Sequence, residues 1–319
     1  MTDTMEAPAR RAAVEDEGAS PRRFRLPHLS HRRGDLIAAL FFVAPATLGL
    51  AVFLVWPTLR GIYFSFTDYN VFTPAQWVGL DNYVRMVQDP EFWHSMWVTV
   101  QYVLVNIGVQ TVLAVLLAVL MHRLTRSVFV RSVMLTPFLV SNVVVGLVWL
   151  WILDYQLGIG NKFLEWIGIG RVFFWGDDKL VIPTLALITV WKFLGYTALL
   201  IFAGLQTIPE QLYEAGRLDG ASEGRMFRSI TLPLLRPYLA MVVILSIIGS
   251  FQVFDLVSVT TGGGPVNASQ VIQMEIYKAA FGRFEFGYAS AMSVALMLVL
   301  LVITFLQYRL SRAGSSDLA

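Results

Sequence analysis

The stretch from Thr207 to Pro237 reads TIPEQLYEAGRLDGASEGRMFRSITLPLLRP and is a polar, basic island between two long apolar runs. In its first half, Thr207 and Glu210 have the spacing of a capping box, which marks the start of a helix. Gly220 closes that half, and glycine readily takes the left-handed backbone conformation with which many helices end. The pattern therefore predicts a short helix between Thr207 and Gly220.

The second half of the stretch predicts another short helix. Ser222 is a candidate N-cap, and the helix should stop near Leu232 because the residue before a proline, here Pro233, disfavours the helical conformation. The two short helices would carry a group of basic side chains, namely Arg217, Arg225, Arg228 and Arg236. We interpret the stretch as a cytoplasmic docking surface for a partner and not as a membrane span.

This stretch resembles the EAA loop of ABC importer permeases, whose signature is Glu-Ala-Ala, three residues, Gly, nine residues and Ile-x-Leu-Pro. The matching residues are Glu214, Ala215, Gly220, Ile230, Leu232 and Pro233. Gly216 departs from the signature because alanine usually occupies that position, and the change weakens the local helix by up to about 1 kcal/mol. The resemblance implies that Glu214 is an acidic anchor for an ATPase subunit and that Asp219 and Gly220 belong to the coupling bend. A generic helix-turn-helix between two spans is the alternative.

The resemblance extends to sugar permeases of the maltose-transporter type and covers nearly everything after residue 35. The further matching segments are VGLDNY at 78–83, LDGAS at 218–222, TGGGP at 261–265 and FGYASAMSV at 286–294. It implies an assembly with a second homologous permease, two nucleotide-binding ATPase subunits and an extracytoplasmic solute-binding protein. In such an assembly the ATPase subunits bind ATP and magnesium, and this chain has no cofactor of its own.

The composition places the chain in a lipid bilayer. Of its 319 residues, 56% are hydrophobic and 14% are charged, and the mean hydropathy is +0.63, which is outside the range of ordinary soluble domains. The chain has no cysteine and therefore no disulfide framework. The net charge is only +2 and the basic groups flank apolar runs, which argues against a nucleic-acid partner.

About six apolar stretches approach the roughly 20 residues that cross a hydrocarbon core, and they predict an all-α polytopic membrane protein. They lie at 36–63, 97–121, 132–153, 180–206, 238–260 and 288–308. Arginines cluster in alternate loops, as the positive-inside rule requires of cytoplasmic loops, so both termini are expected in the cytoplasm. The predicted regions are a disordered basic arm at 1–35, a transmembrane permease domain at 36–310 and a cytoplasmic tail at 311–319, in a bacterial plasma membrane.

Two of the loops on the outer side are expected to contain short helices. Residues 82–88 predict a surface helix in the first of them. In the third, a glycine-rich turn at 262–265 is followed by VIQMEIYKAAF at 271–281, which has an amphipathic pattern. That segment is either a helix at the outer interface, which the resemblance favours as a surface for the binding protein, or a plain connector.

The sequence lacks the motifs of several enzyme classes. None of its lysines lies in the glycine-rich context of a Walker A loop, which excludes an ATPase site of that type in this chain. It has no H-E-x-x-H helix for an intramembrane zinc protease and no paired intramembrane carboxylates for acid–base catalysis. We therefore expect a transport subunit that is not an enzyme by itself and that holds no metal.

Polar side chains inside the apolar spans are candidates for a solute site, because such groups are costly in hydrocarbon and should face protein or a water-filled cavity. Most are amides and hydroxyls, and the set is Asn106, Gln110, Asn142, Ser246, Ser250, Gln252 and, near the outer end of span five, Asp255. Amides, hydroxyls and aromatic faces suit a neutral, polyhydroxylated ligand such as a sugar. The alternative is that each one only joins two helices, a contact worth about 0.6 kcal/mol on average.

The resemblance to maltose-type permeases implies a substrate site at mid-membrane, against the helices before and after the EAA loop. By local match, the residues near that site are Asn142, Leu194, Gly195, Tyr196, Ser246, Ser250 and Gln252. Lys192, midway along span four, has three interpretations. It binds an anionic group of the solute, it pairs with a carboxylate of the partner permease, or it is a structural lysine that snorkels.

Three functional classes are weighed against one another. The first is an ABC importer permease for a sugar or oligosaccharide, with a glycerol-phosphate-type solute as a variant. The second is an ion-coupled secondary transporter, which would have broken spans and an intramembrane carboxylate. The third is a membrane-embedded enzyme, for which the spans offer almost no catalytic group.

Overall fold

The computed structural model describes residues 31–124 and 127–313. These residues are almost entirely helical, and the strands among them are two short ones, β1 (Thr67–Asp68) and β2 (Gln76–Trp77), which pair antiparallel. The all-α prediction is confirmed. The chain divides into two units, Met1–Pro57 and Thr58–Ala319.

The first unit contains helix α1 (His31–Leu50), a π-helical turn (Ala51–Val55) and the start of α2 (Trp56–Ser65). Residues 31–35, which the sequence assigned to the disordered arm, are helical, because a helix already formed by the apolar run extends at little cost per residue. The rest of the expected arm, residues 1–30, and residues 314–319 of the expected tail lie outside the described residues.

The second unit carries the remaining helices. They are α3 (Asp81–Gln88), α4 (Pro90–Leu124), α5 (Val128–Leu139), α6 (Asn142–Ile152), α7 (Ile159–Trp166), α8 (Val181–Leu205), α9 (Glu210–Leu218), α10 (Glu223–Met226), α11 (Leu232–Phe251), α12 (Asp255–Thr260), α13 (Ile272–Tyr277) and α14 (Phe286–Ala313). Within the described chain, five helices are long and apolar enough to cross a membrane, or six when the bent pair α5–α6 counts as one span. The expected number of about six spans is therefore confirmed.

Helix α8 is the centre of the second unit. Of the residues in the most apolar stretch of α8, 56% are buried, whereas the corresponding share is 22–33% in the other long spans of this unit. Its most extensive neighbour is α4. Two buried clusters surround this pair, one containing Tyr102 and Leu185 and the other containing Ala114 and Ile201. The polar residues of α8 are consequently inside the protein and not in contact with lipid.

The expected continuous span at 132–153 is wrong, because two helices occupy it. The axes of α5 and α6 differ by 92° across Val140 and Ser141. Pro137 lies within the last turn of α5, and a proline removes a backbone donor and weakens the helix around it. Ser141 then begins α6 as its N-cap, and its hydroxyl accepts a hydrogen bond from the Val144 amide at 3.4 Å.

The expected helix stop at Leu232 is also wrong. Helix α10 continues through a π-helical turn (Phe227–Thr231) directly into α11. In a π turn the backbone hydrogen bonds span five residues instead of four, so the regular α-helical pattern is already interrupted just before Pro233. The N–H group that proline lacks would have belonged to this interrupted region. The Ser222 side chain makes no capping hydrogen bond here. The second half of the island is therefore the beginning of span five and not a separate short helix.

Short helices on the loops agree with the sequence in position but differ in burial. Helix α3 confirms the helix expected at 82–88, and α13 with a π-helical turn (Lys278–Gly282) confirms the one expected at 271–281. The latter is largely buried, since Ile272, Met274 and Glu275 are each less than 9% exposed. Helix α7 was not expected. Its buried Asn161 donates to the Asp154 and Val172 carbonyl oxygens, both at 3.0 Å, and orders that loop.

Candidate functional site

A cavity of about 180 Å³ lies among α4, α6, α8, α11 and the start of α12. Its wall combines apolar side chains with amides, hydroxyls and aromatic rings. The polar and aromatic lining residues are Tyr102, Asn106, Gln110, Asn142, Thr189, Lys192, Phe193, Tyr196, Thr197, Ser246, Ser250, Gln252, Phe254 and Asp255. Pockets of this make-up, with polar groups set into an apolar wall, are typical of small-molecule sites.

Hydrogen bonds across the cavity wall join α4 to its neighbours. Asn106 Nδ2 donates to Ser250 Oγ at 2.7 Å, and Gln110 Nε2 donates to Thr197 Oγ1 at 2.7 Å. These amides therefore do join helices, as the structural alternative held, while they also line the cavity. The Asn106 Oδ1 atom is buried and has no hydrogen-bond partner within the described chain. An unsatisfied buried acceptor costs about 1–3 kcal/mol.

Lys192 is the first of three residues that side-chain hydrogen bonds link in a row, the others being Asn142 and Asp255. Its side chain is buried, with the residue 7% exposed, and its Nζ donates to Asn142 Oδ1. Asn142 Nδ2 in turn donates to Asp255 Oδ2 at 3.2 Å. This contact lies within the chain and is none of the three interpretations drawn from the sequence. The acidic partner of Lys192 is a carboxylate of its own chain, reached through Asn142.

Aromatic rings form part of the same wall. The Tyr196 ring stacks on Phe138 of α5, with centroids 4.4 Å apart and an angle of 7° between the planes. The Lys192 ammonium lies 5.3 Å from the centroid of Phe193. Stacking of this kind favours one orientation of the Tyr196 ring, which lines the cavity.

The residues expected at the substrate site divide into two groups. Those that line the cavity are Asn142, Tyr196, Ser246, Ser250 and Gln252. Leu194 and Gly195 do not line it. Leu194 packs against the buried cluster of Ala198 and Ile201, and a Cβ on Gly195 would collide with the Met134 carbonyl oxygen of α5. Gly195 thus permits a close approach of two helices.

Three further residues of the wall were not singled out from the sequence. Thr189, three residues before Lys192, lies on the same face of α8 as Lys192 and Tyr196, and Thr197, directly after Tyr196, also lines the cavity. Tyr102, one turn before Asn106 on α4, donates its hydroxyl to Thr189 Oγ1 at 2.7 Å. The helical period of polar residues on α8 was the signal that could have identified Thr189.

The expected coupling loop forms a compact turn. Helix α9 ends at a bend where Gly220 has φ +74°, and the Ala221 amide donates to the Gly216 carbonyl oxygen at 2.9 Å. Tyr213 and Thr231 are joined through their hydroxyls at 2.9 Å. Glu214, Ala215 and Asp219 are exposed. Thr207 does not act as a capping residue, because its hydroxyl donates backwards to the Gly204 carbonyl oxygen at 2.8 Å.

Gly216, the departure from the signature, has close neighbours. A Cβ at this position would lie 3.3 Å from atoms of Ile230 and Met226. Of the remaining signature residues, Ile230 is half-buried against α9, Leu232 is exposed and Pro233 is half-buried. The signature residues from Glu214 to Pro233 therefore surround one bend, with the acidic residue on its exposed side.

Five or six helices that can span a membrane, together with a small cavity among α4, α6, α8, α11 and α12 that is lined by amides, hydroxyls and aromatic rings, define a membrane permease subunit. The family model for the inner membrane component of binding-protein-dependent transport systems matches residues 110–314. The chain belongs to this family.

Several known proteins resemble the chain over almost its whole length. The sulfoquinovosyl glycerol transport system permease protein SmoG of Agrobacterium fabrum is 32% identical, over 96% of this chain and 99% of its own. The trehalose/maltose transport system permease protein MalF of Thermococcus litoralis is 32% identical, over 89% and 96%. The crystal structure of a bacterial ABC transporter for the acidic polysaccharide alginate contains a chain with a TM-score of 0.77 at 23% identity, which covers 90% of this chain and 100% of that one. This last likeness concerns the fold.

Proposed function

We propose that this chain is one membrane-spanning subunit of an ATP-driven importer for a sugar or oligosaccharide, and that the solute passes through the cavity among α4, α8 and α11. The observation that carries the proposal is the cavity wall, in which amides, hydroxyls and aromatic rings are set into an apolar lining. Sugar hydroxyls can both donate to and accept from such groups. The similarity to permeases named for trehalose and maltose supports the same solute class.

Recognition in the cavity combines two kinds of contact. Gln252 and Tyr196 offer an amide and a phenol hydroxyl, which donate to and accept from sugar hydroxyls. The rings of Phe193 and Tyr196 offer apolar faces for the C–H side of a pyranose. Leu194 and Gly195 act indirectly in this scheme, because they set the packing of α8 from which Lys192 and Tyr196 project.

The energy for transport comes from partner subunits. In the proposed complex, two nucleotide-binding subunits bind ATP and magnesium and dock on the 207–237 loop, while a second homologous permease completes the pathway. An extracytoplasmic solute-binding protein delivers the sugar from outside the bacterial plasma membrane. Glu214 supports the docking role, since its carboxylate is exposed and makes no hydrogen bond or ion pair with any described residue of this chain.

The coupling loop transmits movement as a rigid piece. The hydroxyl contact between Tyr213 and Thr231 and the close packing around Gly216 tie α9 to the π turn that begins span five. A displacement of α9 by the ATPase subunits therefore moves span five and the cavity wall that Ser246 and Ser250 form. Alternating access follows as a population shift between inward-open and outward-open states, driven by differential binding.

The test of this proposal is the variant Glu214→Ala in the complete complex, reconstituted in liposomes with its solute-binding protein. The change removes an exposed side chain, so assembly and membrane insertion should be normal. We expect ATP-dependent uptake of maltotriose to fall by at least about tenfold, the loss of one charge-assisted contact at an interface. Glu210→Ala, on the same helix and also exposed, is the control. Normal uptake in Glu214→Ala would count against docking on this loop.

One observation favours a second candidate, an ion-coupled secondary transporter. That class was expected to have broken spans; span three is broken at 140–141, and regular helix is interrupted at 252–254 within span five. The carboxylate beside these breaks, Asp255, is hydrogen-bonded to Asn142 and lies near a lysine, which is unfavourable for binding a second cation. Uptake that persists after ATP depletion and stops when the ion gradient is collapsed would favour this candidate over the importer.

A further inference from the structure

Among the residues that the structure describes, the cavity wall contains one basic and one acidic side chain, whose charges at neutral pH are opposite in sign. Lys192 comes from the middle of α8, and Asp255 is the first residue of α12, directly after the break in span five. The other polar lining groups are amides, hydroxyls and phenols, which are neutral at that pH. The net charge of the wall is therefore zero.

The two charges are joined and not merely close. Lys192 Nζ donates to Asn142 Oδ1, and Asn142 Nδ2 donates to Asp255 Oδ2 at 3.2 Å. The amide thus places its oxygen at the ammonium and its N–H at the carboxylate, which is the favourable orientation of its dipole between opposite charges. Asn142 also opens α6, directly after the break in span three, so the chain of contacts connects both helix breaks to α8.

This arrangement decides what charge a solute can carry. A carboxylate or phosphate group in the cavity would be attracted by Lys192 and repelled by Asp255, so the two effects largely cancel while the anion still loses its hydration. A hydroxyl-rich, uncharged solute avoids that loss and uses the neutral donors and acceptors of the wall. The lysine is therefore present without making the cavity an anion site.

We infer that Asp255 is a specificity-determining residue, which cancels the charge of Lys192 through Asn142 and so restricts the cavity to uncharged, hydroxyl-rich solutes. This inference rests on the proposed function of the cavity as the solute pathway. It assigns to Asp255 the exclusion of acidic sugars. Loss of the Asp255 charge alone should convert the site into one that accepts an anion, with Lys192 as the binding group.

The experiment measures equilibrium binding of two radiolabelled probes to the purified complex in lipid nanodiscs, without the solute-binding protein, whose own selectivity would otherwise contribute. The probes are maltotriose and the same trisaccharide with its terminal glucose oxidised to glucuronic acid. The variants are Asp255→Asn, Lys192→Met and the double variant Lys192→Met/Asp255→Asn. Asp178→Asn, an exposed acidic residue that is absent from the cavity wall, is the matched control.

We expect Asp255→Asn to raise the ratio of acidic to neutral probe affinity by at least about tenfold, the usual effect of one hydrogen bond to a charged group. In the double variant the ratio should return to within about twofold of the parent, because the responsible ammonium is gone. Asp178→Asn should leave the ratio unchanged. An unchanged ratio in Asp255→Asn, or an equal rise in the double variant, would overturn the inference.

Lys192→Met gives an independent answer if Asp255→Asn does not assemble. A masked lysine predicts that the parent binds maltotriose at least as well as the acidic probe, and that Lys192→Met still binds maltotriose. Tighter binding of the acidic probe by the parent, lost in Lys192→Met, would show an open anion site and overturn the inference while leaving sugar import intact. Failure of the parent to bind either probe would instead contradict the proposed function.

Discussion

At the scale of single residues, Gly195 shows how one missing methyl group fixes the position of a helix. A Cβ there would collide with the backbone carbonyl oxygen of Met134, which cannot move aside as a side-chain end can. We therefore expect Gly195→Ala to destabilise the permease by about 3 kcal/mol, the upper end of the usual cost of overpacking. The measurement is the thermal unfolding midpoint of the purified complex.

The control for this substitution is Gly108→Ala. Gly108 lies inside α4, and a Cβ there would have no neighbour within 4 Å. Because alanine favours a helix more than glycine does, this variant should keep or slightly raise the midpoint. Equal midpoints for Gly195→Ala and Gly108→Ala would mean that α5 and α8 do not pack as closely as described.

Individual site residues could be predicted where their chemistry conflicts with a lipid environment. Asn142, Ser246, Ser250 and Gln252 were identified because polar groups inside apolar spans need protein around them, and they line the cavity. The positions 194 and 195 were assigned by local match alone. With 3.6 residues per turn, Leu194 lies on the side of α8 opposite to Lys192 and Tyr196, so the helical period already argued against it. Gly195 lies only about 60° from Lys192, and what keeps it out of the cavity wall is its close contact with Met134.

At the scale of elements, the bend at Gly220 determines how α9 joins span five. Its φ of +74° is a conformation that costs a non-glycine residue about 1–2 kcal/mol, although asparagine tolerates it better. We expect Gly220→Ala to lower the sugar uptake per ATP hydrolysed by the reconstituted complex, because the bend would open and α9 would shift. Gly220→Asn should recover most of it.

Gly224→Ala is the matched control for the bend. Gly224 lies in α10 with no neighbour within 4 Å of an added Cβ, and alanine suits that helical position. Its uptake should equal that of the parent. If Gly220→Ala and Gly220→Asn behaved identically, the left-handed conformation would not be what transmits the movement.

Element boundaries were the part of the fold that the sequence predicted least well, and the prolines show why. Pro137 lies inside α5 and a break follows at Val140, whereas Pro233 and Pro237 lie within a helix that continues. The local effect of proline is the same at each site. What differs is the tertiary packing and the π turn that directly precedes Pro233.

At the scale of the whole molecule, the candidate site depends on contacts between distant parts of the chain. Asn142 meets Lys192 across 50 residues and Asp255 across 113. The sequence could identify each of the three as a polar residue in or near a span, and the six-span class followed from composition and apolar length. The bonds among the three required the 92° break before Asn142 and the break before Asp255, and neither break had been expected.

The same dependence on distant contacts holds for the loops that were assigned to the outer side. Arg283 donates to the buried Glu275 at 2.6 Å and to Glu285 at 3.2 Å, while Arg85 bonds Glu285 at 2.9 Å. Burial by itself would lower the pKa of Arg283, but the hydrogen bonds and charges of Glu275 and Glu285 outweigh it, so the pKa is raised. Because this pKa is higher in the folded state, the contacts of Arg283 contribute their full stabilisation at any pH below the ordinary arginine pKa. That stabilisation is lost only as the pH rises through the still higher pKa of the folded state. The contribution of Arg283 is therefore constant in ordinary buffers.

Arg283→Met tests whether this network holds the buried helix α13 in place. The change leaves the Glu275 carboxylate, 1% exposed, with a hydrogen bond from Gln270 but without its cation. We expect the free energy of unfolding to fall by about 3 kcal/mol, which is the lower end of the cost of breaking a buried ion pair. The lower end applies because Arg283 itself is 38% exposed. Arg171→Met is the control, since Arg171 and Glu165 form an exposed pair that contributes about 0–1 kcal/mol. The readout is the thermal midpoint of the complex at low and high salt. Salt should affect neither variant strongly, and equal midpoints for the two would mean that Glu275 finds its compensation elsewhere than in Arg283.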